Sequence, residues 1–285
     1  MILMIGATGN IGSEVTRQLM AKGVEVRALV RDVAKAEAML GSKVQWVAGD
    51  LSRPETVAAA MRGADKLFLV TPLHLDQVAM KSVTIQAAKS ASVKHIVMST
   101  GIGAGPDAGV EIGRWHGTNQ EEVKATGIAY TFLQPGFFMQ NMLMFAGTIR
   151  EQGAFYLPLG DGKVSWVDAR DIAQVGVTAL TQAGHENKEY PITGGEAISC
   201  AAMAATLSDV LGKSVSYVDV PLAAAKQGMV SAGMSEKLAD LMNETYALGP
   251  AGHLAYVADT VEAVTGHLPR TFRQFAEDHA AAFKG

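Results

Sequence analysis

The chain has 285 residues, 48% of them hydrophobic, a formal net charge of -4 at pH 7 and one cysteine. A chain of this length buries about three quarters of the surface that its unfolded form exposes, so a sizeable core is expected. The weakly acidic charge and the lack of a basic run exclude an electrostatic nucleic-acid surface. The single cysteine, Cys200, excludes an intrachain disulfide and a cysteine-based metal cluster. We therefore expect a cytoplasmic protein without a bound metal.

Two stretches bear on membrane targeting. An apolar strand predicted from Met1 leaves no room for a signal peptide. Residues 125–149 contain no charged side chain, and that length could span a bilayer. However, Gln134-Pro135-Gly136 interrupts this stretch, and Gln140 and Asn141 follow. It therefore predicts a buried strand, a turn and an apolar helix, and no membrane contact is expected.

The first twelve residues predict a strand, a phosphate-binding loop and the start of a helix. Five apolar residues precede Gly6, Gly9 and Gly12, and helical periodicity follows. Gly6 permits a tight turn, Gly9 lets the backbone approach a pyrophosphate, and Gly12 lets the helix pack closely on the strand. The free N–H groups at the start of that helix favour an anion. The dinucleotide contacts expected in this loop are Gly6, Thr8, Gly9, Asn10, Ile11 and Gly12.

The glycine spacing, G-x-x-G-x-x-G, resembles that of the short-chain dehydrogenase/reductase superfamily in its extended and atypical branches. A second predicted strand, 24–30, ends at Arg31 and Asp32. An arginine at this position can pair with the 2′-phosphate of NADPH, and Lys35 could add a second contact. The alternative is that Arg31 is a solvated surface residue and Asp32 binds NAD.

Three further strands, 44–48, 66–70 and 95–100, are predicted to end beside the cofactor. Ligands of open α/β sheets collect at the carboxyl ends of the strands. After the first of these strands, the superfamily resemblance implies an Asp with an apolar neighbour that bracket the adenine. The further cofactor contacts expected are Asp50, Leu51, Thr71, Pro72, Leu73, Ser99 and Thr100.

The helix before strand six departs from the superfamily pattern. Ordinary members carry a Tyr-x-x-x-Lys pair there, with the tyrosine as proton donor. Counting back from Gly127 places Ile112 and His116 at these two positions, so the pair is absent. Because a positioned general acid contributes about 10²–10⁴-fold, reduction of an unactivated ketone is poorly supported. His116 and Gln120 are the candidate catalytic residues, and a structural role is the alternative for His116.

Two outcomes are compatible with the missing pair. Catalysis is lost, or the substrate accepts hydride readily and takes its proton afterwards. Quinones, azo compounds and cationic triarylmethane dyes are of the second kind, because their extended π systems spread negative charge or begin positive.

Strand six, 130–133, leads into an apolar segment, 137–145, that is predicted to be a helix rich in Met and Phe. Core packing accounts for part of this composition. Soft, adaptable methionines also suit a permissive aromatic pocket. The candidate pocket residues are Trp115, Pro135, Phe137, Phe138, Met139, Asn141 and Met142.

In the C-terminal half, Asp168 is expected to cap a helix and Asp171 to pair with Arg170. A further helix is predicted over 229–248. The predicted fold is α/β, a Rossmann-type doubly wound parallel sheet with a smaller, mostly helical C-terminal part. The NADP-binding core is expected over residues 1–150 and a substrate-covering part over 151–285, with strands that return to the core sheet.

Six segments together resemble the NmrA-like atypical short-chain dehydrogenase/reductases over nearly the whole chain. They are 1–12, 29–32, 47–51, 132–141, 166–173 and 270–276. The family members that look most similar are bacterial reductases of azo dyes, quinones and triphenylmethane dyes, which use NADPH without flavin. Segments 99–104 and 134–141 look most like those of an azoreductase.

The resemblance implies direct hydride transfer from NADPH, without flavin, to a small aromatic substrate. A monomer or a homodimer is expected. The alternative is a regulatory protein that senses NADP(H) without turnover, since the missing Tyr-Lys pair is compatible with that as well. The Met/Phe segment favours the enzyme.

Overall fold

The computed structural model describes residues 1–284. The strands are β1 (Ile2–Ile5), β2 (Val26–Val30), β3 (Gln45–Ala48), β4 (Lys66–Leu69), β5 (His95–Ser99), β6 (Ala129–Pro135), β7 (Ala154–Leu157), β8 (Lys163–Val164), β9 (Lys188–Ile192), β10 (Ile198–Ser199) and β11 (Ser216–Asp219). The α-helices are α1 (Asn10–Ala21), α2 (Val33–Leu40), α3 (Pro54–Met61), α4 (Gln77–Ser90), α5 (Glu111–Thr126), α6 (Ala146–Gln152), α7 (Ala169–Thr181), α8 (Cys200–Leu211), α9 (Leu222–Ser231), α10 (Glu236–Tyr246), α11 (Thr260–Thr265), α12 (Phe272–Asp278) and α13 (Ala280–Lys284). A 3-10 helix covers Met139–Phe145.

The chain forms two compact units that alternate along the sequence. Unit 1 comprises Met1–Pro135 and Ile172–Pro191, and unit 2 comprises Gly136–Asp171 and Ile192–Gly285. The domain boundary predicted at residue 150 lies inside unit 2. That residues 1–150 bind NADP and residues 151–285 cover the substrate stays a prediction. Within residues 1–284, no helix combines the length and the apolar character needed to cross a bilayer.

Unit 1 is built on a seven-stranded sheet in the order β3-β2-β1-β4-β5-β6-β9. The pairs from β3 through β6 are all parallel. All four residues of β1 and all five of β5 are buried, as expected for strands covered on both faces. The sheet confirms the predicted Rossmann-type fold class.

The strand register determines where the site lies in unit 1. Ile5 at the end of β1 is paired with Leu29 of β2 and with Leu69 of β4. These three strands therefore end at one edge of the sheet, and the chain order reverses between β1 and β4. Such a reversal is where open α/β sheets bind their ligands.

Unit 2 has its own hydrophobic core, which gathers residues from the 3-10 helix, β7, α8 and α12. Two small sheets accompany it: β8 pairs antiparallel with β10, and β7 pairs parallel with β11. Cys200 is buried at the start of α8. Burial raises the pKa of its thiol to about 12, so this cysteine is an unreactive core residue.

One helix prediction in unit 2 was wrong, and a second was correct only for part of its length. The helix predicted over 229–248 is divided into α9 and α10, because Gly233 adopts a φ of 94° and Ser235 caps α10 by accepting a hydrogen bond from the Leu238 amide. The segment predicted as a helix over 137–145 is extended up to Phe138, which forms a β-bridge with Val167, and is then a 3-10 helix. The Asn141 amide bonds the Phe138 carbonyl at 3.0 Å, the tighter i to i+3 pattern.

Candidate cofactor and acceptor sites

Two of the three loop glycines are required by the packing of the chain itself. Gly6 has a φ of 81°, and a Cβ there would lie 2.3 Å from the Val70 carbonyl oxygen. A Cβ at Gly12 would lie 2.0 Å from the Gly6 carbonyl oxygen. No side chain fits at either position, so α1 lies as close to β1 as the motif predicts.

Gly9 is different, because nothing in the chain demands a glycine there. Its φ is -82°, which any residue adopts, and a Cβ would meet only the Gly6 carbonyl oxygen at 3.6 Å. Gly9 caps α1 without a side-chain hydrogen bond, and Thr8, Gly9 and Asn10 are exposed. The first N–H groups of a helix have no partner inside it. An open space above unpartnered amides fits a pyrophosphate.

Thr71 is a second indication that this sheet edge binds a ligand. It follows β4 at the same sheet edge, and its Oγ1 is buried with no hydrogen-bond partner in residues 1–284. An unsatisfied buried hydroxyl costs about 1–3 kcal/mol. A nucleotide at this edge would supply the missing partner. Its neighbours Pro72 and Leu73 are exposed and half-buried, respectively.

Two charged residues after β2, Arg31 and Asp32, are the candidates to bind the cofactor at the 2′ position of its ribose, and the structure distinguishes them. Asp32 Oδ1 accepts a hydrogen bond from the Lys35 amide at 2.9 Å, which caps α2. Arg31 and the side chain of Lys35 are exposed, and within residues 1–284 the Arg31 guanidinium has no hydrogen bond or ion pair. One oxygen of Asp32 is engaged by the helix cap, and the exposed Arg31 makes no hydrogen bond or ion pair, which favours a 2′-phosphate.

Asp50, after β3, has a locally organised carboxylate. Its Oδ1 accepts hydrogen bonds from the Ser52 amide and hydroxyl, both at 2.8 Å. These two bonds lower the pKa of Asp50, so it is ionised at neutral pH. Asp50 and Leu51 are half-buried. Their contact with adenine stays a prediction.

The end of β5 is tied to β6 and α5. Thr100 donates from its amide and its hydroxyl to the Leu133 carbonyl, at 2.8 and 3.2 Å. Gln120 on α5 donates from Nε2 to Thr100 Oγ1 at 3.2 Å, and it is 3% exposed. The structure therefore places Gln120 as a buried support of the strand end, and its catalytic role stays a prediction. Trp115, also on α5, is half-buried.

One buried cation beside His116 was missed by the sequence reasoning. Lys81 on α4 is 1% exposed, and its Nζ lies 3.1 Å from the Ser99 carbonyl oxygen and 3.2 Å from His116 Nδ1. A signal was present in the sequence, because Lys81 lies on the same helix face as Thr84, Ile85 and Ala88, which are all buried. A lysine on an otherwise inward-facing stripe indicates a buried partner.

The Met/Phe segment divides into core and surface residues of unit 2. Met139 and Met142 are 2% and 0% exposed and belong to the core of that unit. Phe137, Phe138 and Asn141 are half-buried. Pro135, at the end of β6 in unit 1, is buried.

Phe137 belongs to an aromatic cluster. Its ring lies 5.5 Å from that of Trp166 and is stacked on that of Tyr246 at 5.7 Å. Trp166 Nε1 is buried without a hydrogen-bond partner in residues 1–284. The cluster is apolar and holds one unsatisfied donor; Trp166 is buried in it, and Phe137 and Tyr246 are half-buried.

Residues 1–276 match the model of the NmrA-like family. The chain belongs to the NmrA-like family. This confirms the family predicted from the six sequence segments. The chain is 59% identical over 283 residues to an NAD(P)H azoreductase of Xenophilus azovorans, with 99% of each chain covered.

Two solved structures of reductases resemble this NmrA-like chain along its whole length. A NADPH-dependent quinone oxidoreductase from Escherichia coli, complexed with NADPH, has a TM-score of 0.87 at 28% identity and covers 98% of this chain and 99% of its own. A triphenylmethane reductase from Citrobacter sp., complexed with NADP(H), has a TM-score of 0.85 at 28% identity with the same coverage.

The carboxylates that open α7 in this NmrA-like chain are structural, and one predicted pairing was wrong. Asp168 caps the helix by accepting from the Arg170 amide at 2.8 Å, as predicted. Arg170 does not pair with Asp171; it pairs with Asp168 at 2.7 Å and with Asp278 at 2.6 Å. Asp171 pairs with Arg270 instead. The helix turns Asp171 away from its neighbour and toward a residue distant in sequence.

We expect Asp168→Asn to lower the free energy of unfolding at pH 7 by about 1–3 kcal/mol, because a buried charged hydrogen-bond partner is lost. Burial acts to raise the pKa of Asp168, but the hydrogen bonds from Arg170 and Gln140 outweigh it and lower the pKa. The stabilisation is therefore present above the unfolded pKa of about 3.9 and is lost as the pH falls through the folded pKa. Urea unfolding at pH 7 and at pH 3 measures this. An equal gap between the two proteins at both pH values would contradict it.

Proposed function

We propose that this protein is a NADPH-dependent, flavin-free and metal-free reductase that transfers hydride to a conjugated aromatic acceptor such as an azo dye or a quinone. The observation that carries the proposal is the open Gly9 loop together with an exposed Arg31 that makes no hydrogen bond or ion pair in residues 1–284, in a chain similar along its whole length to an NAD(P)H azoreductase. In this proposal, NADPH is bound by the cofactor contacts predicted from the sequence.

The proposed roles of unit 1 follow from its geometry. The amides at the start of α1 bind the pyrophosphate, the Arg31 guanidinium binds the 2′-phosphate, and Thr71 Oγ1 bonds the nucleotide. The reduced nicotinamide supplies the hydride. The chain's own contribution is to hold the reacting groups in position, which converts a bimolecular step into a local one.

The proposed acceptors follow from the residues of α5. Ile112 and His116 lie at the positions that carry tyrosine and lysine in ordinary short-chain dehydrogenases, so no phenol is available there as an acid. Acceptors that stabilise negative charge in a π system need less help from an acid than an isolated ketone does. In unit 2, the cluster of Phe137, Trp166 and Tyr246 supports binding of a flat ring.

We expect Phe137→Ala to raise the acceptor KM about twofold to tenfold, because one aromatic contact contributes about 0.5–1.5 kcal/mol. The dissociation constant of NADPH should not change. Phe145→Ala is the matched control, since Phe145 also packs on the core of unit 2, against Phe155. It should lower stability without raising the acceptor KM. A changed NADPH affinity in Phe137→Ala would show that the acceptor site is misplaced.

The function is tested by NADPH oxidation with purified protein shown by absorbance to be free of flavin. The acceptors are an azo dye, a quinone, a triarylmethane dye and a control without acceptor. Turnover with an acceptor, faster with NADPH than with NADH, is the expected result. Tight NADPH binding without turnover of any acceptor would favour a non-catalytic NADP(H) sensor. We further propose that the protein acts in the cytoplasm as a monomer or homodimer, consistent with its single buried cysteine.

A further inference from the structure

Lys81 is a buried ammonium group without a carboxylate partner. In residues 1–284 its Nζ has two hydrogen-bond partners, the Ser99 carbonyl oxygen at 3.1 Å and His116 Nδ1 at 3.2 Å. The carboxylate of Glu122 on α5 is bonded elsewhere, to Ser82 and Gln86 of α4. A buried charge of this kind is costly, and such groups cluster where proton chemistry takes place.

The contact determines the tautomer of His116. An ammonium group has three donors and no acceptor, so Nδ1 of the imidazole must accept from it. The ring proton of the neutral histidine then lies on Nε2. Lys81 therefore positions His116 as a donor through Nε2.

The Nε2 edge of His116 lies at the carboxyl end of β5. A Cβ built on Gly101 would be 3.6 Å from His116 Cδ2 and 4.0 Å from Nε2. His116 is half-buried, and within residues 1–284 its Nε2 has no hydrogen-bond partner. Because residue 101 is a glycine, it places no side chain of its own over this edge. The Nε2 proton is thus available at the sheet edge where ligands of this fold bind.

We propose that His116 donates a proton from Nε2 to the acceptor after hydride transfer. Lys81, a positioning residue, then supplies a proton to Nδ1. This inference rests on the proposed reductase function. It gives the two residues one joint role, that of a relay between a buried ammonium group and the acceptor.

The relay balances in atoms and charge. Hydride transfer brings two electrons and leaves the acceptor as an anion on nitrogen or oxygen. The Nε2–H bond breaks as the new N–H or O–H bond of the product forms, and Nδ1 takes a proton from Nζ. The ammonium becomes an amine, the imidazole stays neutral with its proton on Nδ1, and the product is neutral. A solvent proton then enters at Nε2, and Nδ1 returns its proton to Nζ.

The surroundings favour transfer from this pair. Burial lowers the pKa of Lys81 to about 7, and burial together with the Lys81 charge lowers the pKa of His116 well below its usual value. The helices packed on α4 are α3 and α5; their ionisable groups include Glu55 on α3 and Glu122 on α5, and neither carboxylate is bonded to Lys81. An ammonium group whose pKa lies near 7 can donate its proton at neutral pH, as the proposed transfer requires.

The test compares Lys81→Met and His116→Gln, singly and together, with Lys89→Met as the control on the exposed face of α4. Methionine keeps the length of the lysine stem without the charge, and such replacements of buried ions are commonly tolerated. We expect each single variant to lower kcat for the acceptor about 10²-fold, with little change in the NADPH dissociation constant. The double variant should lose little more than either single variant, because the two residues act as one unit.

Nitrogen-15 NMR of the histidine rings measures the tautomer of His116 directly and independently of turnover. At a pH below the pKa of Lys81, where the ammonium form prevails, wild-type His116 should show a protonated Nε2 and an unprotonated Nδ1; in Lys81→Met it should show a mixture of tautomers at the same pH. Lys89→Met should match the wild type in every measurement. Losses in kcat that multiply in the double variant, or an unchanged tautomer in Lys81→Met, would overturn the relay. If the wild type reduces no acceptor, the proposed function fails separately, because the tautomer is measured without turnover.

Discussion

Arg31→Ala is expected to weaken NADPH binding about tenfold to hundredfold and to leave NADH binding almost unchanged. A charge-assisted hydrogen bond contributes about 1.5–3 kcal/mol, and about 1.4 kcal/mol corresponds to a factor of ten in affinity. Only NADPH carries the 2′-phosphate. Arg31 is exposed and makes no hydrogen bond or ion pair in residues 1–284, although its charge helps to lower the pKa of Asp50. Titration of both cofactors into the wild type and the variant measures the change in preference.

The matched control for Arg31 is Lys22→Ala. Lys22 is an exposed cation at the C-terminal end of α1, opposite the end that carries the glycine loop. It should leave both affinities unchanged, which separates a direct contact from an effect of net charge. Equal weakening of NADPH and NADH by Arg31→Ala would place the arginine on a part of the cofactor that both share. No weakening at all would refute the 2′-phosphate assignment.

Gly12→Ala is expected to destabilise unit 1 by about 3 kcal/mol or more. The added Cβ would lie 2.0 Å from the Gly6 carbonyl oxygen, so the backbone of the loop itself must move. Overpacking of this kind usually costs about 1–3 kcal/mol, and contact with rigid backbone places it at or above the upper end. Thermal unfolding without cofactor measures the loss.

Gly9→Ala is the partner experiment, because the same methyl group meets only the Gly6 carbonyl oxygen at 3.6 Å. The variant should unfold at nearly the wild-type temperature. It should bind NADPH about tenfold or more weakly, since the methyl group occupies the space above the α1 amides and costs at least one charge-assisted hydrogen bond. Normal NADPH binding by Gly9→Ala would mean that the pyrophosphate does not lie over this loop. Equal stability of the two variants would contradict the packing argument.

The local motifs of unit 1 were predictable because they depend on neighbours in sequence. Strand, glycine and helix follow one another within twelve residues, and both Gly6 and Gly12 are where backbone crowding demands them. Arg31 was predictable as a candidate because it follows directly on β2. The Asp168 cap was predictable for the same reason, since a cap bonds amides a few residues away.

Contacts between residues that are distant in the chain could not be predicted from the sequence. Arg170 was expected beside Asp171, yet it pairs with Asp278, more than one hundred residues away, and Asp171 pairs with Arg270. The helix predicted over 229–248 was wrong because its apolar spacing continues across Gly233, while the backbone turns there. Periodicity reports which face is buried and does not report whether the helix is continuous.

By itself, the sequence determined the fold class, the NmrA-like family and the strand–glycine loop–helix motif at the start of the chain, because hydrophobic periodicity and glycine spacing act over a few residues. Only the tertiary structure decided which charged groups meet. It buried Lys81 against His116 from a different helix, and it engaged one oxygen of Asp32 in a helix cap while leaving Arg31 exposed without a hydrogen bond or ion pair in residues 1–284. The physical reason is that burial and partner choice depend on which elements pack together, and that information is spread over the whole chain.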